Sequence, residues 1–144
     1  MEYDLKEKVV HSSCCIVLPE DKTAQIQAIR SLHAKGFARW MPHINLLYPF
    51  IPAEHVKQYK LADKVKAALR DLEPFTVTLK RFSVFEHRES ATVFLECDTK
   101  PEGALLKLQA KLEGLFPFCD VQSTVGGKYH PHMGLGDVKD KASS

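Results

Sequence analysis

The 144-residue chain lacks a long apolar run and carries little excess charge, and each shortage excludes a class of protein. No stretch approaches the roughly 18 consecutive apolar residues of a membrane-spanning helix, and residues 1–8 lack the apolar segment of a secretory signal peptide. Lys and Arg number 20 against 18 Asp and Glu, so the formal net charge of +2 does not indicate a large duplex-binding surface. We therefore expect a soluble, unprocessed protein with no membrane partner.

The sequence also lacks a cysteine pair at the spacing of a metal or redox motif. The vicinal pair Cys14 and Cys15 lies in an apolar run, and Cys97 and Cys119 stand alone. Such residues are typical of small core side chains in a reduced protein. We expect no cofactor, and a location in the cytoplasm or nucleus.

Hydrophobic content of 44% over this length fits one domain spanning residues 1–144. Periodicity and turn residues predict the order of the elements. They are a strand over 9–18, a helix over 22–35, an extended segment over 39–50, a helix over 53–72, a β-hairpin of 75–85 and 91–97, a third helix that opens at 99–102, a last strand over 129–138 and a frayed tail from 139.

The pentapeptide Pro-His-apolar-x-Leu occurs twice, as residues 42–46 and as residues 131–135. With eight Pro and seven His in the chain, roughly 0.02 copies are expected by chance. Each copy ends a succession of strand, helix and His-bearing strand. The repeat predicts an α+β fold of two pseudo-symmetric lobes, each an antiparallel-rich sheet with helices outside, and a central cleft that carries the two His motifs.

Side chains alternate along a strand, so His43 and Asn45 share one face, as do His130, His132 and Gly134. Imidazole has an unperturbed pKa of about 6.5, which allows one copy to accept a proton near pH 7 while the other donates one. His43 and His132 are therefore candidate general acid and base for phosphodiester cleavage without a metal.

At these residues the chain resembles the two-histidine phosphoesterase superfamily, which includes 2′-5′ RNA ligase-like proteins and cyclic nucleotide phosphodiesterases. The resemblance covers nearly the whole chain and implies that His43 and His132 are catalytic. It also implies metal-free action on 2′,3′-cyclic phosphates or on 2′-5′ or 3′-terminal phosphodiesters. The hydroxyl residue of the family's H-x-[ST] motif is replaced by Asn45 in the first copy and by Gly134 in the second. The Asn45 amide can still donate a hydrogen bond, whereas Gly134 offers only its backbone N–H and room for close approach.

Residues near the motifs are candidates for substrate contacts. Aromatic rings can stack on a base and cationic side chains can attract phosphate. The substrate-binding set is Asn45, Gly134, Tyr48, Tyr129, His130 and Lys128, and further stacking or phosphate candidates are Trp40, Phe85, Arg39 and Arg88. Most aromatics in a domain of this size belong to the core instead.

The sequence predicts a phosphoric diester hydrolase that acts as a monomer on an RNA terminus or nucleotide and opens a 2′,3′-cyclic phosphate. The alternative from another class is a catalytically weakened module that binds RNA or nucleotide, since both motif hydroxyls are missing. A metal site at His130 and His132 is a third interpretation, although no further Cys or His occurs at the sequence spacing typical of a metal site.

Overall fold

The computed structural model describes residues 3–139 and contains both helices and strands. The strands are β1 (Cys14–Val17), β2 (His43–Leu47), β3 (Thr76–Glu86), β4 (Ser90–Lys100) and β5 (His132–Lys139). The helices are α1 (Ala24–His33), α2 (Ala53–Gln58), α3 (Leu61–Ala68), α4 (Ala104–Leu115) and α5 (Val121–Thr124), with a 3-10 turn at Glu20–Lys22. The predicted α+β class is confirmed. Except for Lys139, which ends β5, the predicted tail lies outside the described residues.

Several predicted elements differ in extent from those observed. The helix predicted over 53–72 is divided into α2 and α3, because Lys60 adopts a left-handed conformation with φ of 52° and interrupts the helical path. The strand predicted over 9–18 is shortened to β1, and Val9 instead forms an isolated bridge with Phe50.

The strands form two sheets. β1 pairs with β2, and β3, β4 and β5 form a three-stranded sheet in that order. The predicted hairpin is confirmed, since β3 and β4 are neighbours joined by a three-residue connection that requires antiparallel pairing. β4 and β5 are also antiparallel, with a register shift between Val93 and Phe94. Gly136 pairs with Val93 and Gly134 with Phe94, so Leu135 has no ladder partner.

The chain divides into two compact units, each assembled from three separate segments. Within the described residues, the second unit comprises 16–44, 77–98 and 131–139. Helix α1 packs against β5 in this unit. Its core includes an apolar cluster built around the buried residues Ile44, Leu95, Met133 and Leu135, with Ile26 and Ile29 of α1 packed against it.

The first unit comprises residues 3–15, 45–76 and 99–130 and holds most of the helices. α2 packs against α3, and α3 against α4. Helix α4 buries Leu105, Leu108 and Leu112 on one face. The buried amide of Gln109, also in α4, donates a hydrogen bond of 3.2 Å to the carbonyl of Leu46 and so anchors the helix to the end of β2. The symmetric lobes and the central cleft stay predictions. None of the helices over residues 3–139 has the length and apolar character needed to cross a bilayer.

Candidate functional site

His43 is the first residue of β2 and is half-buried. Its neighbour Ile44 is 1% exposed and belongs to the core of the second unit, so alternation directs the imidazole to the other face of the strand. The Nδ1 atom lies 2.6 Å from the carbonyl oxygen of Met41. Because a carbonyl only accepts, Nδ1 must carry the proton, which leaves Nε2 as the nitrogen that can exchange a proton with substrate.

The segment before His43 is held by a buried arginine. Arg30 of α1 is 4% exposed, and its guanidinium donates hydrogen bonds to the side chain of Gln27 and to the carbonyl of Trp40. The ring of Trp40 in turn lies 5.3 Å from the imidazole of His43, centroid to centroid. Arg30 therefore fixes the backbone of a residue that contacts the imidazole.

His132 is the first residue of β5, and its neighbour Met133 is fully buried in the same core cluster as Ile44. The imidazole makes edge-on contacts with the rings of Phe85 and Phe94, with both centroid distances 5.3 Å. Phe85 is 37% exposed and stacks on the buried Phe94 at 4.2 Å. His132 thus projects from the face of the sheet opposite the core, beside a partly exposed aromatic ring.

The two motif histidines belong to the same compact unit. Each immediately precedes a residue of one apolar cluster, Ile44 or Met133, and each points away from that cluster. A shared core beneath both strands gives the two imidazoles a common rigid support.

Asn45 is held at both its side chain and its backbone within the first unit. The hydroxyl of Ser13 donates to its Oδ1 at 2.6 Å, and the hydroxyl of Tyr129 donates to its backbone carbonyl at 2.7 Å. Tyr129 is only 6% exposed. The structure therefore gives Tyr129 a role in holding β2, and its predicted stacking on a base stays a prediction.

The other predicted substrate contacts are distributed over both units. Gly134 is exposed and belongs to the second unit, whereas Tyr48, Lys128 and His130 belong to the first. The Tyr48 hydroxyl donates to the carbonyl of Val10 at 2.6 Å. Lys128 and His130 are exposed. The role of each in binding substrate stays a prediction.

The sequence did not identify two residues that lie next to motif residues, Ser13 and Glu96. Glu96 lies directly opposite His132 across the β4–β5 ladder and accepts a 2.9 Å hydrogen bond from Arg81. No motif indicates either residue, because each reaches its neighbour only through strand pairing. Residues 3–139 contain no group of three or more His, Cys, Asp or Glu side chains that could hold a metal ion.

Burial makes the cysteines poor nucleophiles. It raises the pKa of the Cys14 thiol to about 11 and those of Cys97 and Cys119 to about 12. Burial also raises the pKa of Cys15. A thiol with such a pKa is protonated near pH 7 and does not supply the thiolate that nucleophilic catalysis requires.

Comparison with known proteins identifies the class. A family model described as the 2′-5′ RNA ligase superfamily matches residues 18–144, which contain both His motifs. The chain therefore belongs to the 2′-5′ RNA ligase superfamily, and the resemblance seen in the sequence is confirmed. Membership points to phosphodiesterase or RNA-ligase-like activity. None of the curated proteins and none of the solved structures matches the chain.

Proposed function

We propose that this protein is a metal-free phosphodiesterase that acts on RNA ends or nucleotides and hydrolyses a 2′,3′-cyclic phosphate. The observation that carries the proposal is the common support of the two motif histidines. Ile44 and Met133 pack in one core, and the residue before each is a histidine directed away from it. Membership of the 2′-5′ RNA ligase superfamily adds independent support for phosphodiester chemistry.

The proposed reaction uses His43 and His132 as general base and general acid. One imidazole removes a proton from water as the oxygen attacks phosphorus, in line with the ribose oxygen that leaves. The other imidazolium gives a proton to that ribose oxygen as the P–O bond breaks. The product is a 2′- or 3′-phosphomonoester, and the histidines end in exchanged protonation states that solvent restores. For His43 the participating atom is Nε2, since Nδ1 is engaged by Met41.

The remaining residues of the proposal bind the substrate. The Asn45 amide donates to a phosphoryl oxygen, the backbone at Gly134 allows close approach, and Lys128 attracts the phosphate charge. Tyr48, Tyr129 and His130 complete the proposed substrate contacts. The protein is proposed to act as a monomer. The free thiols of its four cysteines fit the reducing conditions of the proposed cytoplasmic or nuclear location.

A second candidate function is binding of RNA or nucleotide without turnover. It is favoured by one feature, the loss of the family's hydroxyl residue at both Asn45 and Gly134. A domain that lacks both phosphate-binding hydroxyls has fewer groups to stabilise the charge that develops on the phosphoryl oxygens.

Incubation with an oligoribonucleotide that ends in a 2′,3′-cyclic phosphate separates the two functions, with the products resolved by mass spectrometry. The hydrolase adds one water to the substrate, and His43→Ala and His132→Ala each abolish that addition while the fold is retained. His11→Ala, which removes an exposed histidine outside the motifs, serves as the matched control and leaves the rate unchanged. Saturable binding with unchanged substrate identifies the binding module instead, and full activity in either motif variant refutes the proposed catalysis.

A further inference from the structure

Ser13 immediately precedes β1 and holds the side chain that replaces the first motif hydroxyl. Its Oγ lies 2.6 Å from Oδ1 of Asn45 and donates the hydrogen bond. The Asn45 backbone is fixed independently, because its carbonyl accepts from the Tyr129 hydroxyl at 2.7 Å. The hydrogen bond to the side chain of Asn45 thus comes from a donor that lies outside both motifs.

The orientation decides what Asn45 can bind. A carboxamide has a donor end and an acceptor end, and only the Nδ2 end can hydrogen-bond to a phosphoryl oxygen. The acceptor end would repel the anion. Because the Ser13 hydroxyl satisfies Oδ1, the amide can present Nδ2 to an anion without leaving its own oxygen unpaired.

Asn45 is close along the chain to the first catalytic candidate, His43. Asn45 follows His43 by two positions in β2, so the two side chains share a face of the strand. This is the position of the family's hydroxyl residue, which Asn45 replaces. The Ser13 hydroxyl and the Asn45 amide together thus provide at this position the hydrogen-bond donor that a single Ser or Thr supplies in the H-x-[ST] motif.

We propose that Ser13 is a positioning residue, which holds the Asn45 amide with Nδ2 directed to the phosphoryl group of the substrate. The inference rests on the proposed function and extends it to a residue outside the motifs. Ser13 acts through Asn45 and contacts no reacting atom.

Ser13→Ala tests the proposal, and Ser12→Ala is its matched control. Both hydroxyls donate at 2.6 Å and are partly buried, but Ser12 bonds to the backbone carbonyl of Ile51. We expect Ser13→Ala to lower kcat/KM for the cyclic phosphate about 3- to 10-fold, the worth of one hydrogen bond. Ser12→Ala should stay within about twofold of the wild-type value, and Ser13→Thr, which keeps the hydroxyl, should recover most of the activity. Equal losses in Ser12→Ala and Ser13→Ala would overturn the proposal.

A second background separates positioning from a merely structural role. Asn45→Thr restores the family's hydroxyl and removes the amide that Ser13 orients. In that background Ser13→Ala should leave kcat/KM unchanged, because no amide remains to be positioned. The same loss in both backgrounds would show that Ser13 only supports the fold and would overturn the inference.

The same variants are also titrated with a nucleoside 3′-monophosphate, so that a result is obtained even without turnover. Ser13→Ala should raise the dissociation constant by about the same 3- to 10-fold, and an unchanged dissociation constant would contradict the proposal. The proposed function is judged separately by the His43→Ala variant. An inactive His43→Ala variant beside a fully active Ser13→Ala variant rejects only the positioning role, whereas an active His43→Ala variant rejects the catalytic assignment itself.

Discussion

Gly134 lies directly opposite Phe94 in the β4–β5 ladder, and a Cβ atom added at Gly134 would meet no atom within 4 Å. Its φ angle lies outside the positive range in which side chains are strained. Neither space nor backbone conformation requires glycine at the position of the second motif's hydroxyl.

Restoring that hydroxyl is therefore expected to help the reaction. Gly134→Ser should raise kcat/KM for a 2′,3′-cyclic phosphate about 3- to 10-fold, because it adds one hydrogen-bond donor for a phosphoryl oxygen. Gly134→Ala adds the Cβ without the hydroxyl and should not raise the rate. An equal gain in the alanine variant, or a loss in the serine variant, would contradict the assignment of residue 134.

Gly136 is two positions further along β5 and behaves differently. Its φ is 147°, and an added Cβ would lie 2.6 Å from the backbone carbonyl carbon of His33 at the end of α1. Gly136→Ala should lower the free energy of unfolding by about 2–4 kcal/mol, since both backbone strain and overlap with the helix oppose it. Urea unfolding measures this loss, and Gly134→Ala is the control with no expected change. Unchanged stability of Gly136→Ala would contradict the close approach of α1 to β5.

The buried thiol of Cys97 predicts a pH dependence of stability. Burial, followed by the charge of Asp98, raises its pKa to about 12 from an ordinary value of 9.0. The thiol of the unfolded chain releases its proton at a lower pH than the buried thiol does. The contribution of the protonated Cys97 thiol to the free energy of unfolding is therefore complete below pH 9 and is lost as the pH rises toward 12. The wild-type protein should lose more stability between pH 8 and pH 10.5 than Cys97→Ala does, as measured by urea unfolding at both values. Equal losses would show that this thiol is not buried as described.

The sequence predicted those helices and strands that show a regular spacing of apolar residues along one continuous stretch of the chain. The apolar spacing in 99–115 predicted α4 because one face of that helix is buried, and period-two alternation predicted β3 through Val77 and Leu79, which pack on the core. Beyond Leu79 the alternation of burial ends, since the consecutive residues Lys80, Arg81 and Phe82 are all exposed. The break at Lys60 was also hidden, because lysine carries no sequence signal for a left-handed conformation.

The residues of the candidate site likewise fall into two groups, those that a local pattern predicted and those that it did not. His43 and His132 were identifiable because a repeated motif contains each of them. Ser13 and Glu96 were not, because their neighbours depend on the pairing of β1 with β2 and on a β4–β5 register that shifts at Val93. Strand register is set by long-range packing, and one sequence does not specify it.

The most direct test of the two-histidine mechanism compares two substrates in the His43→Ala and His132→Ala variants. One substrate is a nucleoside 2′,3′-cyclic phosphate, and the other is a nucleotide ester with a p-nitrophenolate leaving group, which departs without a proton. Both variants should lose at least about 100-fold in kcat/KM on the cyclic phosphate. Only the variant that lacks the general acid should recover on the p-nitrophenyl ester, and that recovery identifies the acid. Wild-type rates in either variant on the cyclic phosphate, or equal recovery of both on the ester, would contradict the account.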